Sequence, residues 1–139
     1  MSQPPLANEL TFFKRVNSII QSKAIVTGAE KNEDIIKGIK NGDKDNNCHI
    51  KGDNNLIIDL QDSYYLIGIM VTFNHYDYSK YYTYDCYISK NKLNWTPIIE
   101  GKQAKANETI LIYNTARYIK FKGKNSSDPN LHIVNFKIV

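Results

Sequence analysis

Tyr82-Thr83-Tyr84-Asp85-Cys86-Tyr87-Ile88-Ser89 carries the most legible pattern in the chain. Tyr84, Cys86 and Ile88 alternate with Asp85, Tyr87 and Ser89, and successive side chains of a strand point to opposite faces of a sheet. Residues 82–89 therefore read as a half-buried strand with Cys86 pointing inward. Downstream, residues 95–99, 109–113, 118–122 and 131–139 are β-branched or aromatic runs, bounded by Gly101-Lys102, Asn114-Thr115 and Ser126-Ser127-Asp128-Pro129-Asn130. In residues 118–122, Ile119 and Phe121 take one face while Tyr118, Lys120 and Lys122 take the other, so one side of that strand is solvated.

Upstream, Leu56-Ile57-Ile58-Asp59-Leu60 and residues 67–73 are further strand candidates. Asn41-Gly42-Asp43-Lys44-Asp45-Asn46-Asn47 and Lys51-Gly52-Asp53-Asn54-Asn55 read as turns, because Gly, Asn and Asp tolerate positive φ and bond their own backbone. About seven short strands separated by turns imply an antiparallel sandwich or barrel. Residues 1–23 differ. After Pro4-Pro5, the apolar positions Leu6, Leu10, Phe13, Val16 and Ile20 recur at spacings of three and four, the stripe of an amphipathic helix. The expected organisation is a helical arm over 1–23 and a β domain over 24–139, with the arm packed on its own domain or on a partner.

The 139 residues suffice for one domain with a core. The longest apolar run, Leu66-Ile67-Gly68-Ile69-Met70-Val71, is far short of the ~20 residues of a membrane helix. Met1-Ser2-Gln3-Pro4-Pro5 has no basic region leading into an apolar one and is not read as a secretory signal. The triplets at Asn94, Asn107 and Asn125 that fit a glycosylation acceptor are expected by chance in an Asn-rich sequence. Cys48 and Cys86 are expected to be reduced and packed. The net charge of +4 comes almost wholly from lysines interspersed with acids, with Arg15 and Arg117 as the two arginines. Nucleic-acid recognition favours clustered Arg, so no nucleic-acid partner is expected.

Catalytic constellations do not emerge. Cys48 and His49 are adjacent, but neighbours on a strand point apart, so a nucleophile and base in reach of each other are not expected. Asp43, Asp45 and Asn47 imitate the opening of a calcium loop, yet Cys48 stands where the loop needs Gly and Asn54 where it needs a bidentate Glu. A looser oxygen cage is the most that loop could form. No spacing fits zinc and no Gly-rich loop fits phosphate. No cofactor and no metal are expected. What remains is His75-Tyr76-Asp77-Tyr78-Ser79-Lys80-Tyr81-Tyr82-Thr83-Tyr84. Tyr82 and Tyr84 are assigned to the core, whereas Tyr76, Tyr78 and Tyr81 offer flat apolar area with a hydroxyl, suited to a sugar face or a protein contact.

Three segments taken in order carry a resemblance. They are residues 55–60, then Tyr84-Asp85-Cys86-Tyr87-Ile88-Ser89-Lys90-Asn91-Lys92-Leu93-Asn94-Trp95, then Ala116-Arg117-Tyr118-Ile119-Lys120-Phe121. Together they resemble the discoidin, or coagulation-factor type C, domain over roughly residues 24–139. Cys48-His49-Ile50-Lys51-Gly52, Tyr65-Leu66-Ile67-Gly68 and Leu131-His132-Ile133-Val134-Asn135-Phe136 are most similar to the discoidin-like domain of BTB/POZ-domain-containing protein nine, although no BTB domain precedes them here.

The resemblance implies an all-β, eight-stranded antiparallel jelly-roll sandwich of galactose-binding-like fold, without catalytic machinery and with ligands held by loops at one end. By position those loops are 40–48 and 74–81, which makes His75, Tyr76, Asp77, Tyr78, Lys80, Tyr81, Asp43, Asp45 and His49 the candidate binding residues. Related domains carry an acidic, arginine-containing loop where this chain has Tyr76, Tyr78 and Lys80. The disulfide of the extracellular members has no counterpart, so an intracellular, cytoplasmic setting is expected. The leading functional expectation is a non-enzymatic protein-interaction module within a larger assembly, docking through its rim loops and N-terminal helix. The alternative is a lectin-type module that stacks a sugar on Tyr76, Tyr78 or Tyr81 with Asp77 and Lys80 as polar help.

Overall fold

The structure, a computed structural model, describes residues 20, 22–28, 48–51, 55–73, 83–124 and 130–139, without the side chains of 48–51, 130–132, 134 and 135. Seven strands are described: β1 (Ile25–Thr27), β2 (Cys48–Lys51), β3 (Asn55–Phe73), β4 (Thr83–Ser89), β5 (Thr96–Gln103), β6 (Asn107–Gly123) and β7 (Asn130–Ile138). Every pairing is antiparallel.

Two of these strands each fuse a pair of expected ones. Residues 56–60 and 67–73 are the halves of β3, and 109–113 and 118–122 are the halves of β6. The joining residues bend the chain without reversing it. β3 holds extra residues between Asp59 and Tyr64, where Gln61 takes φ 73° and its N–H donates to Asp59 Oδ1 at 2.8 Å. β6 holds one extra residue opposite Ile67, and there Tyr113 takes φ 49°. Bulges of this kind kink a strand and raise its twist. The two long strands thereby pass from one layer to the other while staying paired with each other.

The first halves of β3 and the second half of β6 join β1, β4 and β5 in one layer. The second half of β3 and the first half of β6 join β7 and β2 in the other. Side chains between the layers form the core. Leu56, Ile58, Tyr84, Cys86, Ile119 and Phe121 come from the first layer, and Ile69, Val71, Phe73, Ile110, Ile133 and Phe136 from the second. The rings of Phe73 and Tyr84 meet across the gap with centroids 5.2 Å apart. Burying a Leu, Ile or Phe side chain contributes about 1.5–3 kcal/mol, which makes this contact surface the main cohesive term. The antiparallel β-sandwich expected from the sequence is therefore present, with Tyr84, Cys86 and Ile88 inward as their alternation required.

Other boundaries move. Gly101-Lys102 does not end β5, because Asp85 Oδ1 accepts the Gly101 N–H at 2.6 Å and holds the strand through a left-handed residue at φ 63°. Asn114-Thr115 lies within β6 at its bend, Lys51 ends β2, and Asn55 opens β3. Among the described side chains of β7, Ile133, Phe136 and Ile138 are buried, and a register shift separates the Phe73–Ile133 pair from the Thr72–Asn135 pair.

Of the expected arm over 1–23, Ile20, Ser22 and Lys23 are described. Ile20 and Ser22 are helical, and Ile20 belongs to the core. The other arm residues lie outside the described ones. Among the described residues no helix is long and apolar enough to cross a membrane.

Candidate functional site

The register places two distinct sets of loops at opposite ends of the sandwich. At one end Thr72 pairs Asn107, Thr83 pairs Gln103, Tyr84 pairs Gly123 and Asn55 pairs Lys122. Two backbone bonds tie that end together. Phe73 N–H donates to the Ala106 carbonyl at 2.8 Å, and Lys124 N–H donates to the Thr83 carbonyl at 2.7 Å. This is the loop pole. The opposite end, the turn pole, consists of the bends of β3 and β6 and the turn of residues 89–95.

Under the loop pole lies a buried polar group. Glu108 is 4% exposed, and its Oε1 accepts the Tyr84 hydroxyl at 3.2 Å. Lys102 covers the same carboxylate with its ammonium 3.3 Å from Oε1, its own side chain being about half exposed. A buried carboxylate is tolerated when it is paired and hydrogen-bonded in this way. Burial pushes the Tyr84 hydroxyl well above the ordinary phenol range, and the adjacent Glu108 pushes it further. The Tyr84 hydroxyl therefore keeps its proton at neutral pH, and the arrangement ties β4 to β6 beneath the rim. Nearby, Thr72 Oγ1 donates to Asn107 Oδ1 at 3.1 Å. The buried Asn55 Oδ1 has no hydrogen-bond partner among the described residues.

The outer face of the first layer carries an aromatic and cationic stack. The Lys120 ammonium lies 4.2 Å from the Trp95 ring centroid and 4.9 Å from that of Tyr87. Burial holds its pKa below the ordinary lysine range, with Lys122 adding to the effect. Trp95 meets Tyr118 edge-on at 6.5 Å, and Arg117 lies over Tyr118 at 5.1 Å while its Nε donates to Asp59 Oδ1 at 2.9 Å. The contacts bring Trp95 beside Arg117 and Tyr118, which stand well apart from it in the sequence. Their order was visible there, but not that one lysine would link them.

The sequence-derived site residues fare unevenly. Asp43, Asp45, His75, Tyr76, Asp77, Tyr78, Lys80 and Tyr81 all lie outside the described residues. His49 lies in β2, where the register sets it opposite His132, a pairing that spacing alone does not reveal. Phe73 and Thr83, the residues on either side of segment 74–82, both stand at the loop pole. Cys86 is free and fully buried, and burial pushes its thiol up to about 12. It is a packing residue and not a nucleophile. Among the described residues no group of three or more His, Cys, Asp and Glu side chains could hold a metal ion.

No protein-family model matches the chain, and no curated protein matches it in sequence. Its shape does find counterparts. A family 32 carbohydrate-binding module produced by Clostridium perfringens superimposes with TM-score 0.68 at 16% identity, covering 88% of this chain and 98% of the module. A pectin-binding carbohydrate-binding module gives 0.65 at 17% identity over 83% of this chain and 87% of its own. The family 32 module of AlyQ, solved in complex with 4,5-unsaturated mannuronic acid, gives 0.66 at 17% identity over 84% and 92%.

These superpositions overturn the leading functional expectation. All three of these structures are carbohydrate-binding modules, and none of them is a BTB/POZ protein. The discoidin resemblance holds at the level of architecture: the chain folds as a galactose-binding-like, discoidin-like β-sandwich.

Proposed function

We propose that the chain is a carbohydrate-binding module that takes its sugar at the loop pole. The observation that carries this reading is the superposition over 83–84% of the chain on modules described as binding pectin or holding an unsaturated mannuronic acid. Two features of the molecule support the location. The Tyr-rich segment 74–82 leaves and re-enters the sandwich at Phe73 and Thr83, so its ends are anchored at that pole. The rim beside it presents Lys102, Lys105 and Asn107, exposed side chains able to meet hydroxyls or a uronate carboxylate.

In this reading Tyr76, Tyr78 and Tyr81 stack on the apolar face of a sugar ring, while Asp77 and Lys80 bond its hydroxyls. The Tyr84–Glu108–Lys102 group keeps the strand ends beneath them in place. Binding would be non-catalytic. Calorimetric titration of the intact chain with oligogalacturonate, alginate fragments and galactosides tests the proposal. A saturable heat for at least one of them, lost in Tyr78→Ala, is expected. Absence of binding to all three classes would refute it.

A further inference from the structure

The turn pole contains a cleft of about 320 Å³. Its walls are Ser89 at the end of β4, Asn91 and Asn94 of the turn that follows, Thr96 at the start of β5, and Asn114 and Thr115 at the bend of β6. Ile88, an almost fully buried core residue, borders it. A cleft of roughly 300 Å³ or more is of ligand size, and a wall of amides and hydroxyls suits a compact polar molecule.

The walls are held in place before any ligand arrives. Ser89 Oγ accepts the N–H of Asn91 at 3.2 Å and of Lys92 at 2.9 Å, while Asn91 Oδ1 accepts the N–H of Leu93 and of Asn94, both at 2.9 Å. Asn114 Oδ1 accepts the Thr115 N–H at 2.8 Å, which leaves its amide nitrogen as a donor. The side chains of Asn94 and Thr96 make no hydrogen bond with the described residues. Preorganised walls lower the ordering cost of binding. Gln61, Lys92 and Tyr113, the described non-glycine residues with positive φ, also all belong to this pole. Backbone held in that region concentrates at sites where the surroundings over-determine it.

Amides and hydroxyls that both donate and accept match vicinal hydroxyl pairs, which do the same. Among the described residues the lining holds no carboxylate, and its one cation, Lys90, is exposed. We infer that this cleft is a second saccharide site, for a neutral hexopyranose ring, with Asn94, Thr96 and Asn114 bonding the hydroxyls. It lies at the end away from the rim of the proposed function and does not depend on that reading.

Trp95, the single tryptophan, stands between two lining residues, Asn94 and Thr96. The probe is D-galactose, titrated into the intact chain while Trp95 emission is followed, with D-galacturonate as the acidic counterpart. A saturable change with a midpoint near ~1 mM is expected for galactose. Replacing both Asn94→Ala and Asn114→Ala should weaken it by about tenfold or more with the thermal midpoint little changed. Tyr78→Ala should leave the Trp95 response in place, even if it abolishes binding at the rim. The inference is overturned by a flat or non-saturating response, by a response to galacturonate alone, by one that survives the Asn94/Asn114 replacement, or by one that Tyr78→Ala removes.

Discussion

The Tyr84 hydroxyl donates to Glu108 Oε1 at 3.2 Å, linking β4 in one layer to β6 in the other beneath the loop pole. Both residues are at least 96% removed from solvent, at 0% and 4% exposure. Deleting one partner strands the other. Tyr84→Phe is expected to cost about 1–2 kcal/mol, and Glu108→Ala about 2–3 kcal/mol because it leaves a buried hydroxyl unpaired. Urea unfolding of the two single variants and the double variant should give a coupling of about 1 kcal/mol. Strictly additive losses would show that the bond contributes nothing.

Asp59 and Arg117 tie the bend of β3 to β6 on the outside of the first layer, with N–O distances of 2.9 and 3.3 Å. Partial burial pushes the Asp59 carboxyl up, but the Arg117 hydrogen bond, the Gln61 N–H and the Arg117 charge together hold it below its ordinary value. A carboxylate with a depressed folded pKa contributes stability that is complete above its unfolded pKa near ~3.9 and is lost as pH falls through the folded one. Arg117→Ala should therefore lower the thermal midpoint at neutral pH, and the difference from the parent should shrink at acid pH. Curves that stay parallel down to the acid limb would contradict this origin.

Gly28 and Gly101 both have positive φ, at 93° and 63°, but their surroundings differ. A Cβ at Gly28 would strike the carbonyl of Asn55 in β3, whereas one at Gly101 would meet nothing within 4 Å. Gly101→Ala should cost about 1 kcal/mol for backbone strain alone. Gly28→Ala adds displacement of a strand and should cost at least ~2 kcal/mol. Thermal unfolding of the two variants would separate the effects, and equal losses would disprove the contact.

Cys86 has no exposed surface and a thiol pushed up to about 12. At neutral pH iodoacetamide should leave it unmodified in the folded chain and alkylate it promptly in urea, as read by peptide mass spectrometry. Rapid labelling of the folded protein would place the thiol outside the core.

The strands were legible because their alternation is strict. Tyr84, Cys86 and Ile88 face inward, and Ile119 and Phe121 are buried against Lys120 and Lys122. The fusion of four expected strands into two was not legible. Asp59, Gln61, Tyr113 and Asn114 carry turn chemistry, but whether a turn reverses a strand or bends it depends on long-range pairing between β3 and β6. The rim was legible only as composition, since a Tyr-rich run between strands does not reveal its ligand. The protein-interaction expectation rested on analogy between domains of shared fold, and fold alone does not carry function. The turn-pole cleft escaped notice because Asn91, Asn94 and Asn114 read as ordinary turn residues until the register brings two turns together.

Sugar binding at the loop pole is tested most directly by amide shift mapping of the uniformly labelled intact chain during titration with oligogalacturonate, alginate fragments and galactosides. Saturable shifts are expected at Phe73, Thr83, Lys102, Lys105, Asn107 and Lys124 and through segment 74–82. Saturable binding that leaves all of those amides unmoved, or no binding by any of the three, would contradict the account.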